Sequence, residues 1–391
     1  MNEIRSQMNP SELMALTRLR LQAWAWVRGT AARQRPSATL SFSRGAGRRL
    51  LLVSLADPIS QSQIHPFHFY RDELRDRWGY EIREIGLDTL LARPELAPEA
   101  ADVVCFQAWI DKTPDELRAI AALLREKYPK ARLAFLDPCA PSDLRFGVAI
   151  GAQVDLYVKK HLLRDRGAYD RPTNGDTNLT DWYGAYFDHV LPPVHFELPP
   201  GFMDKVVVGP SFAAAPYMLP RFHAVAEAPL GGARRYDLHA RLGGAGNKNA
   251  YEMQRTLAME KVRALTNVSV TPQTYVNKRA YMRELAQSRI CFSPFGYGEV
   301  CWRDYEAVFS GALLLKPDMS HLETVPDVFV SNETYVPIRW DFEDLADTVA
   351  AYLSNEPRRR EIARNAYAAL HAWAREARFV DQLQRLFDPA L

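Results

Sequence analysis

Residues Ser288–Val328 read SRICFSPFGYGEVCWRDYEAVFSGALLLKPDMSHLETVPDV, and the order of residue types here decides the fold. A short apolar strand (Ile290–Phe292) runs into a Pro/Gly turn carrying Pro294, Gly296 and Gly298. A helix with Arg303 and Glu306 follows, then a second buried strand (Ala312–Leu315) ending in Lys316-Pro317-Asp318. A glycine loop feeding a helix N-terminus suits an anion, because the first helical N–H groups are unpaired and the dipole end is positive. Glu306 lies three residues from Arg303, on the same helix face, where a carboxylate accepts hydrogen bonds from sugar hydroxyls. Phosphate and ribose recognition within one strand–loop–helix–strand unit points to a nucleotide-type ligand.

Outward from this unit, strands and helices alternate from residue 49 onward. Arg49–Leu55, Tyr80–Ile85, Val103–Gln107, Arg132–Leu136 and Val154–Val158 read as buried strands, with helices at His68–Gly79 and Pro114–Lys127 between them. Short apolar runs separated by amphipathic helices predict βαβ units and a parallel sheet. Periodicity lapses from Arg164 to Pro200, a stretch rich in Asp, Asn, Thr, Gly and aromatics that reads as a functional excursion. The alternation restarts with a strand at Arg235–Arg241, a helix at Tyr251–Leu265, a strand at Val268–Thr271 and a helix at Lys278–Gln287, and two helices near 341–354 and 356–374 close the chain. The expected organisation is a basic amphipathic segment (1–48), a first Rossmann-like domain (49–205), a linker (206–234) and a second Rossmann-like domain (235–391). Ligands of such α/β sheets bind outside the carboxyl ends of the strands, so the loops after Leu55, Leu136, Val158, Arg241 and Phe292 are expected to face a cleft between the domains.

Composition narrows the class. With 391 residues, 47% hydrophobic and 25% charged, the chain has material for two domain cores, and a net charge of +2 gives no field for nucleic acid. Cys105, Cys139, Cys291 and Cys301 are sparse and sit mostly in or beside apolar runs, which reads as free thiols in a reducing compartment. They lack companions at zinc spacing, so no metal is expected. No apolar run approaches about 18 residues and no secretory signal opens the chain, so a cytoplasmic protein is expected. The first 49 residues hold nine arginines against Glu3 and Glu12, with Leu13, Leu16, Leu19, Leu21, Trp24 and Trp26 among them. Residues 10–35 therefore read either as an interfacial helix on the inner face of an anionic membrane or as a helix packed on the first domain or on a partner subunit.

Each candidate residue has a plainer reading beside the functional one. Arg303 either meets a ligand phosphate or orients Glu306, and Gly296 and Gly298 admit a ligand or merely turn the chain. Arg241 precedes Gly243-Gly244-Ala245-Gly246-Asn247-Lys248, a second phosphate loop in which Lys248 neutralises charge, or else a flexible hairpin. Asp237 interrupts a β-like run, as nucleophile or base assisted by His239 on the same strand face, or as a salt-bridge partner of Arg235, His239 or Arg241. Lys159 and Lys160 sit at a predicted strand end. Asp176, Thr177, Asn178 and Asp181 offer groups for sugar hydroxyls, or form an Asx-turn loop. His65, with His68, follows the first strand where acceptor or base groups sit.

Phe292-Ser293-Pro294, Gly296, Gly298, Arg303, Glu306, Gly311 and Leu315 resemble the GT-B glycosyltransferases, of the exostosin-like and group-1 bacterial kind. The motif spans about 30 residues, and the two-domain layout extends the likeness over 49–391. The resemblance implies a metal-independent enzyme with no cofactor beyond a nucleotide-sugar co-substrate. It implies that Glu306 binds the nucleotide ribose and that the glycine loop, including Ser293, approaches the donor phosphates. The acceptor would be a glycan or lipid-linked glycan. A narrower likeness, carried by 157–183 and 235–243, is to bacterial retaining β-Kdo transferases of surface-polysaccharide synthesis. It implies a CMP-Kdo donor, a nucleophile at Asp237, and an acceptor such as O-antigen or capsule. The rivals are a nucleotide-sugar epimerase of the same shape and a non-catalytic sugar- or nucleotide-binding module. A dehydrogenase is disfavoured because Leu55-Ala56-Asp57-Pro58, not G-x-G-x-x-G, follows the first strand.

Overall fold

The computed structural model describes residues 25–388. Strands β1 (Arg48–Ser54), β2 (Tyr80–Gly86), β3 (Val103–Phe106), β4 (Arg132–Leu136), β5 (Leu156–Lys159), β6 (His161–Leu163), β7 (Thr173–Asn174), β8 (Pro193–Val194) and β9 (Val206–Val208) belong to the first half. Strands β10 (Tyr236–His239), β11 (Ser288–Phe292), β12 (Leu313–Pro317), β13 (Leu322–Thr324) and β14 (Val336–Ile338) belong to the second. The first sheet has the order β2-β1-β3-β4-β5-β9 and the second β10-β11-β12-β14. All their pairings are parallel.

Both sheets are buried on two faces, which is why Leu50–Val53 and Leu313–Leu315 read as unbroken apolar runs. The outer face of each sheet packs its own helices. The inner faces share one continuous core that also takes in Phe212–Phe222 and the last helices. The helix Pro114–Lys127 begins where the sequence says it should: Thr113 and Glu116 form a reciprocal capping box and Pro114 fills the first turn. Gly79 ends the helix Arg71–Trp78 in the left-handed region, which a glycine enters without strain.

Four expectations change. The expected linker begins too early, because Val206–Val208 adds a sixth strand to the first sheet against β5. Pro58–Phe69 is a helix, set by Asp57, whose side chain caps the N–H groups of Ile59 and Ser60; its Ser, Gln and Pro content hid it from pattern reading. The strand expected at Val268–Thr271 reduces to a single bridge, Leu238 to Val270. The closing helices do not stay with the second domain. Phe379 and Phe387 pack edge-on against Phe67, and Arg132 donates to the carbonyls of Arg385 and Asp388.

The domains are also sewn together at one side of the cleft. Antiparallel β6 and β13, one from each half, pair as Leu163↔Leu322, Leu162↔Glu323 and His161↔Thr324. Arg164 pairs with Asp327, and Arg166 with Glu323.

The amphipathic segment lies partly outside the described residues. From residue 25 on it packs on the first domain: Trp26 meets the rings of His65 and His68 edge-on, and the Arg33 guanidinium stands 3.6 Å from the Trp26 ring and 2.7 Å from Glu84. Trp26 and Arg33 are thus committed inside the molecule; residues 10–24 of the membrane expectation lie outside those described.

Candidate active site between the two domains

The carboxyl ends of β4 and β5 face those of β10–β12, and the junction is built from backbone. A Cβ placed on Gly298 would stand 2.1 Å from the Ala140 carbonyl oxygen and 2.9 Å from the Pro141 nitrogen. Gly298 is needed for domain contact, not for the approach of a ligand.

Glu299, the next residue, is the group that sequence reasoning missed. It is 1% exposed, and its Oε1 accepts from Ser142 Oγ (3.1 Å) and Asn178 Nδ2 (3.3 Å), both from the first domain. The Nε2 atoms of His161 and His321 stand 3.6 and 3.9 Å from its carboxylate. Its Oε2 has no hydrogen-bond partner, nor does either ring nitrogen of His161. Burial alone raises a carboxyl pKa; the two imidazoles overcome this and hold Glu299 well below the ordinary range. The only sequence signal was a carboxylate within a loop of Pro, Phe, Gly and Tyr.

The excursion at 164–200 walls a hollow. A cavity of about 220 Å³ is lined by Ser142, Asp143, Asp176, Thr177, Asn178 and Asp181, with Tyr169, Phe196 and several aliphatic side chains opposite. Thr177 caps the helix Asn178–Tyr186 and shares a 2.7 Å hydrogen bond with Tyr251 of the second domain. Arg145 holds Asp143 by a two-pronged contact and reaches Asp176 at 3.1 Å. Ser142 and Asn178 line this cavity and also bind Glu299, so the cavity wall and the domain junction are one structure.

The other acceptor candidates are supports, not surfaces. Lys159 and Lys160 are both fully buried. Lys159 Nζ and Tyr157 OH each donate to Asp137 Oδ2 at 2.6 Å. Burial pulls the Lys159 ammonium down and the Asp137 charge more than offsets it. Lys160 donates to the Pro138 carbonyl (2.7 Å) with its ammonium 4.6 Å from the Phe212 ring, and burial lowers its pKa to about 7. His65 lies inside a helix and its Nδ1 meets the Ala214 carbonyl at 2.9 Å; burial brings its pKa to about 3. These three hold loop and linker segments in place.

On the donor side, Glu306 is 2% exposed and its Oε1 accepts from Tyr217 OH (2.7 Å) and pairs with Lys278. Trp302 and Phe212 stack at 4.4 Å beside it. Ser293 is corrected: its side chain is fully buried, donating to Asp304 and accepting from Arg303 Nε (3.0 Å). Arg303 also donates to the Pro294 carbonyl (2.7 Å), and Lys316 approaches Asp304 at 3.2 Å. Arg303 therefore braces the loop that carries Gly296. Arg241 is held by Glu284 and the Thr274 carbonyl. The Gly243–Lys248 loop beyond it stays exposed, with Gly244 at φ +75° and Asn249 capping the helix Ala250–Arg263.

Asp237 is placed away from all of this. It sits in the first half of β10, where its side chain accepts from Ser269 N (2.9 Å) and pairs with Arg289 near the start of β11. The cleft lies at the other end of these parallel strands, so the nucleophile expectation is not met by position. His239 is buried two residues on, its ring edge-on to Tyr281 at 5.0 Å, with burial lowering its pKa to about 3. It is a neutral imidazole whose Nε2 lacks a partner. Among the described residues no group of three His, Cys, Asp or Glu side chains could hold a metal ion.

Two Rossmann-like domains whose parallel sheets turn their carboxyl ends to a shared junction have the GT-B architecture. Residues 228–385 match the family model described as glycosyl transferase-like. A glycosyltransferase from Rickettsia africae has the same fold (10% identity, 87% of this chain and 97% of that one, TM-score 0.50). HepE of Anabaena, solved with UDP-glucose, is similar at 10% identity over 86% of this chain and 97% of its own, with a TM-score of 0.40. TarM is similar at 10% identity over 73% of this chain, with a TM-score of 0.44, and the match spans about half of TarM (54%). No curated protein matches the sequence. The chain has the GT-B fold, and residues 228–385 match the glycosyl transferase-like family within it.

Proposed function

We propose that this enzyme moves a sugar from a nucleotide-sugar donor, held by the second domain, onto a glycan held in the cavity of the first. The observation that carries the reading is the shared wall: Ser142 and Asn178 line the cavity and hold Glu299, on the loop that leads into the helix of Glu306. A donor ribose at Glu306 and an acceptor in the cavity would meet across Glu299. Glu299 and His161, with unsatisfied polar atoms at that meeting point, replace Asp237 as the groups to orient the reacting sugars. The exposed Gly243–Lys248 loop brings the Lys248 charge to the leaving nucleotide; the Gly246 and Lys248 N–H groups are already taken by Thr256 and Glu252, and that of Gly296 by the Gly298 carbonyl.

The cavity favours a transferase over an epimerase, which needs no acceptor site. A bacterial surface glycan such as O-antigen or capsule is the acceptor class suggested by the sequence likeness at 157–183. The CMP-Kdo donor belongs to the same likeness and loses its structural partner with Asp237. Thermal unfolding with millimolar CMP, UDP, GDP and dTDP tests the donor reading: binding raises apparent stability by mass action, so one nucleotide should shift the midpoint. No shift with any of the four refutes it.

A further inference from the structure

The amino ends of β4 and β5 lie on the edge of the first sheet opposite the cleft, and a second cavity opens there. It measures about 440 Å³ and is walled by four cationic side chains, Arg125, Lys130, Arg132 and Arg385, and one carboxylate, Asp155. Its walls come from distant parts of the chain: the end of the helix Pro114–Lys127 with the turn into β4, the start of β5, and the short helix Gln384–Phe387.

The charges here do not cancel. Asp155 Oδ2 is committed to Arg125 Nη2 (2.8 Å) and to the Leu133 N–H (2.7 Å). Arg132 Nη1 donates to the carbonyls of Arg385 (2.5 Å) and Asp388 (2.7 Å), and Arg385 Nη2 to that of Asp204 (2.6 Å). These acceptors are neutral, so both guanidiniums are held in place while their charge stays uncompensated. Lys130 is exposed, and among the described residues no carboxylate pairs with it, with Arg132 or with Arg385. Like charges held close together repel, and an anion between them removes that cost. The fork of a guanidinium matches phosphate oxygens, and an ammonium adds a point charge. A cavity of this volume admits a small ligand, and a lining this cationic selects an anionic one.

We propose that this cavity binds a phosphate-bearing ligand, at a site separate from the cleft. The phosphate oxygens take the remaining N–H groups of Arg132 and Arg385 and the Lys130 ammonium. Arg132 belongs to the first sheet and Arg385 to the returning end of the chain, so the ligand ties the two together. The inference uses no residue of the cleft and stands whether or not the donor reading holds. Free phosphate compounds and lipid headgroups share this chemistry, and the experiment separates them.

The test compares the full chain with Lys130→Glu and Arg385→Lys, using inorganic phosphate and pyrophosphate in titration calorimetry and vesicles of phosphatidylcholine with or without phosphatidic acid in flotation. Lys130→Glu should lower the affinity about tenfold or more, and Arg385→Lys, which keeps the charge, should stay within about threefold. Added anion should raise the unfolding midpoint of the wild type and not that of Lys130→Glu. Without anion the two midpoints should agree, because Lys130 is exposed and unpaired; if the reversal does disturb the fold, Lys130→Gln carries the same comparison. Pyrophosphate that enters the cleft does not confuse the result, since the cleft lies at the other end of the strands and its share is equal in both proteins. Binding of the dissolved anions that depends on Lys130 assigns a free phosphate ligand. Binding only to vesicles with phosphatidic acid, lost in Lys130→Glu, assigns a lipid headgroup. A wild type that binds none of the probes, or binds them no better than Lys130→Glu, overturns the proposal.

Discussion

Gly298→Ala places one methyl group where the two domains touch. Its Cβ would lie 2.1 Å from the Ala140 oxygen, 2.4 Å from the Ala140 carbonyl carbon and 2.9 Å from the Pro141 nitrogen, where ordinary contact is 3.4–4 Å. All three atoms are backbone, so no side-chain rotation relieves the clash. The loops must part by more than about 1 Å, yet each is tied down: Arg303 holds Pro294 and Lys160 holds Pro138. The bonds from Ser142 and Asn178 to Glu299, at 3.1 and 3.3 Å, have no slack for such a shift. Overpacking costs about 1–3 kcal/mol and a lost bond to a charged group about 1.5–3 kcal/mol. A net loss of about 3 kcal/mol should lower the unfolding midpoint of a chain this long by about 3–5 °C. Misplacement of donor against acceptor by about 1 Å should cost about 100-fold in turnover, read as nucleotide release from the donor sugar. Nucleotide affinity should stay within about twofold, because Glu306 and Tyr217 do not touch this contact. Gly296→Ala is the control: its Cβ would be tight only against the Cys301 sulfur, at 3.1 Å, a movable side chain, with the Gly298 carbonyl oxygen at an ordinary 3.7 Å, and its cost should be below about 1 kcal/mol. Wild-type midpoint and turnover in Gly298→Ala would refute the reasoning, since the Ala140–Pro141 contact would then be absent from the working enzyme.

Glu306→Ala should weaken nucleotide binding by tenfold or more, the scale of about 1.5–3 kcal/mol for a bond to a charged group, with titration calorimetry as the measurement; unchanged affinity would remove the ribose role. Asp237→Asn should leave nucleotide release within about twofold of wild type and cost at most about 1 kcal/mol, since its partner Arg289 is 40% exposed; a loss beyond tenfold would return Asp237 to the chemistry. His65 and His239, both brought to about 3 by burial, should make the fold acid-sensitive. Their folded pKa lies below the unfolded value of about 6.5, so the unfolded chain binds more protons below pH 6.5 and stability falls as pH drops from there toward 3. Each histidine contributes up to about 1.4 kcal/mol per pH unit within that window, and His65→Gln should flatten the denaturation-versus-pH curve by one such share. A curve unchanged by His65→Gln would show that His65 is not buried neutral.

What the sequence disclosed, and what it withheld, divides by the range of the interactions involved. Periodicity and caps are local, so the Pro114–Lys127 helix, β4 and the strand–loop–helix around Glu306 were legible with near-correct bounds. The strand, loop and helix that carry Glu306 were recognisable because they lie within one stretch of chain. Glu299 was not, because what makes it unusual is its company: Ser142, His161, Asn178 and His321 come from four places in the chain and meet only when the halves close on one another. Gly298 shows the same limit from the other side. A glycine in a loop reads as room for a ligand, and only the opposing Ala140 carbonyl shows that the room is taken by backbone.

Asp237 failed for a different reason. Alternation along a strand tells which face a side chain takes but says nothing of how far along the strand the cleft lies. In parallel sheets that distance decides function, because every strand delivers its carboxyl end to the ligand and its amino end to the opposite edge. Arg241, which ends the same run, stands at the carboxyl end, where Glu284 and the Thr274 carbonyl hold it, while Asp237, near the run's start, finds Arg289 at the far edge. The lysines at the end of β5 obey the rule in position but not in exposure. There the β6–β13 ribbon and Phe212 close over the strand end, converting what would be cleft charges into buried ties.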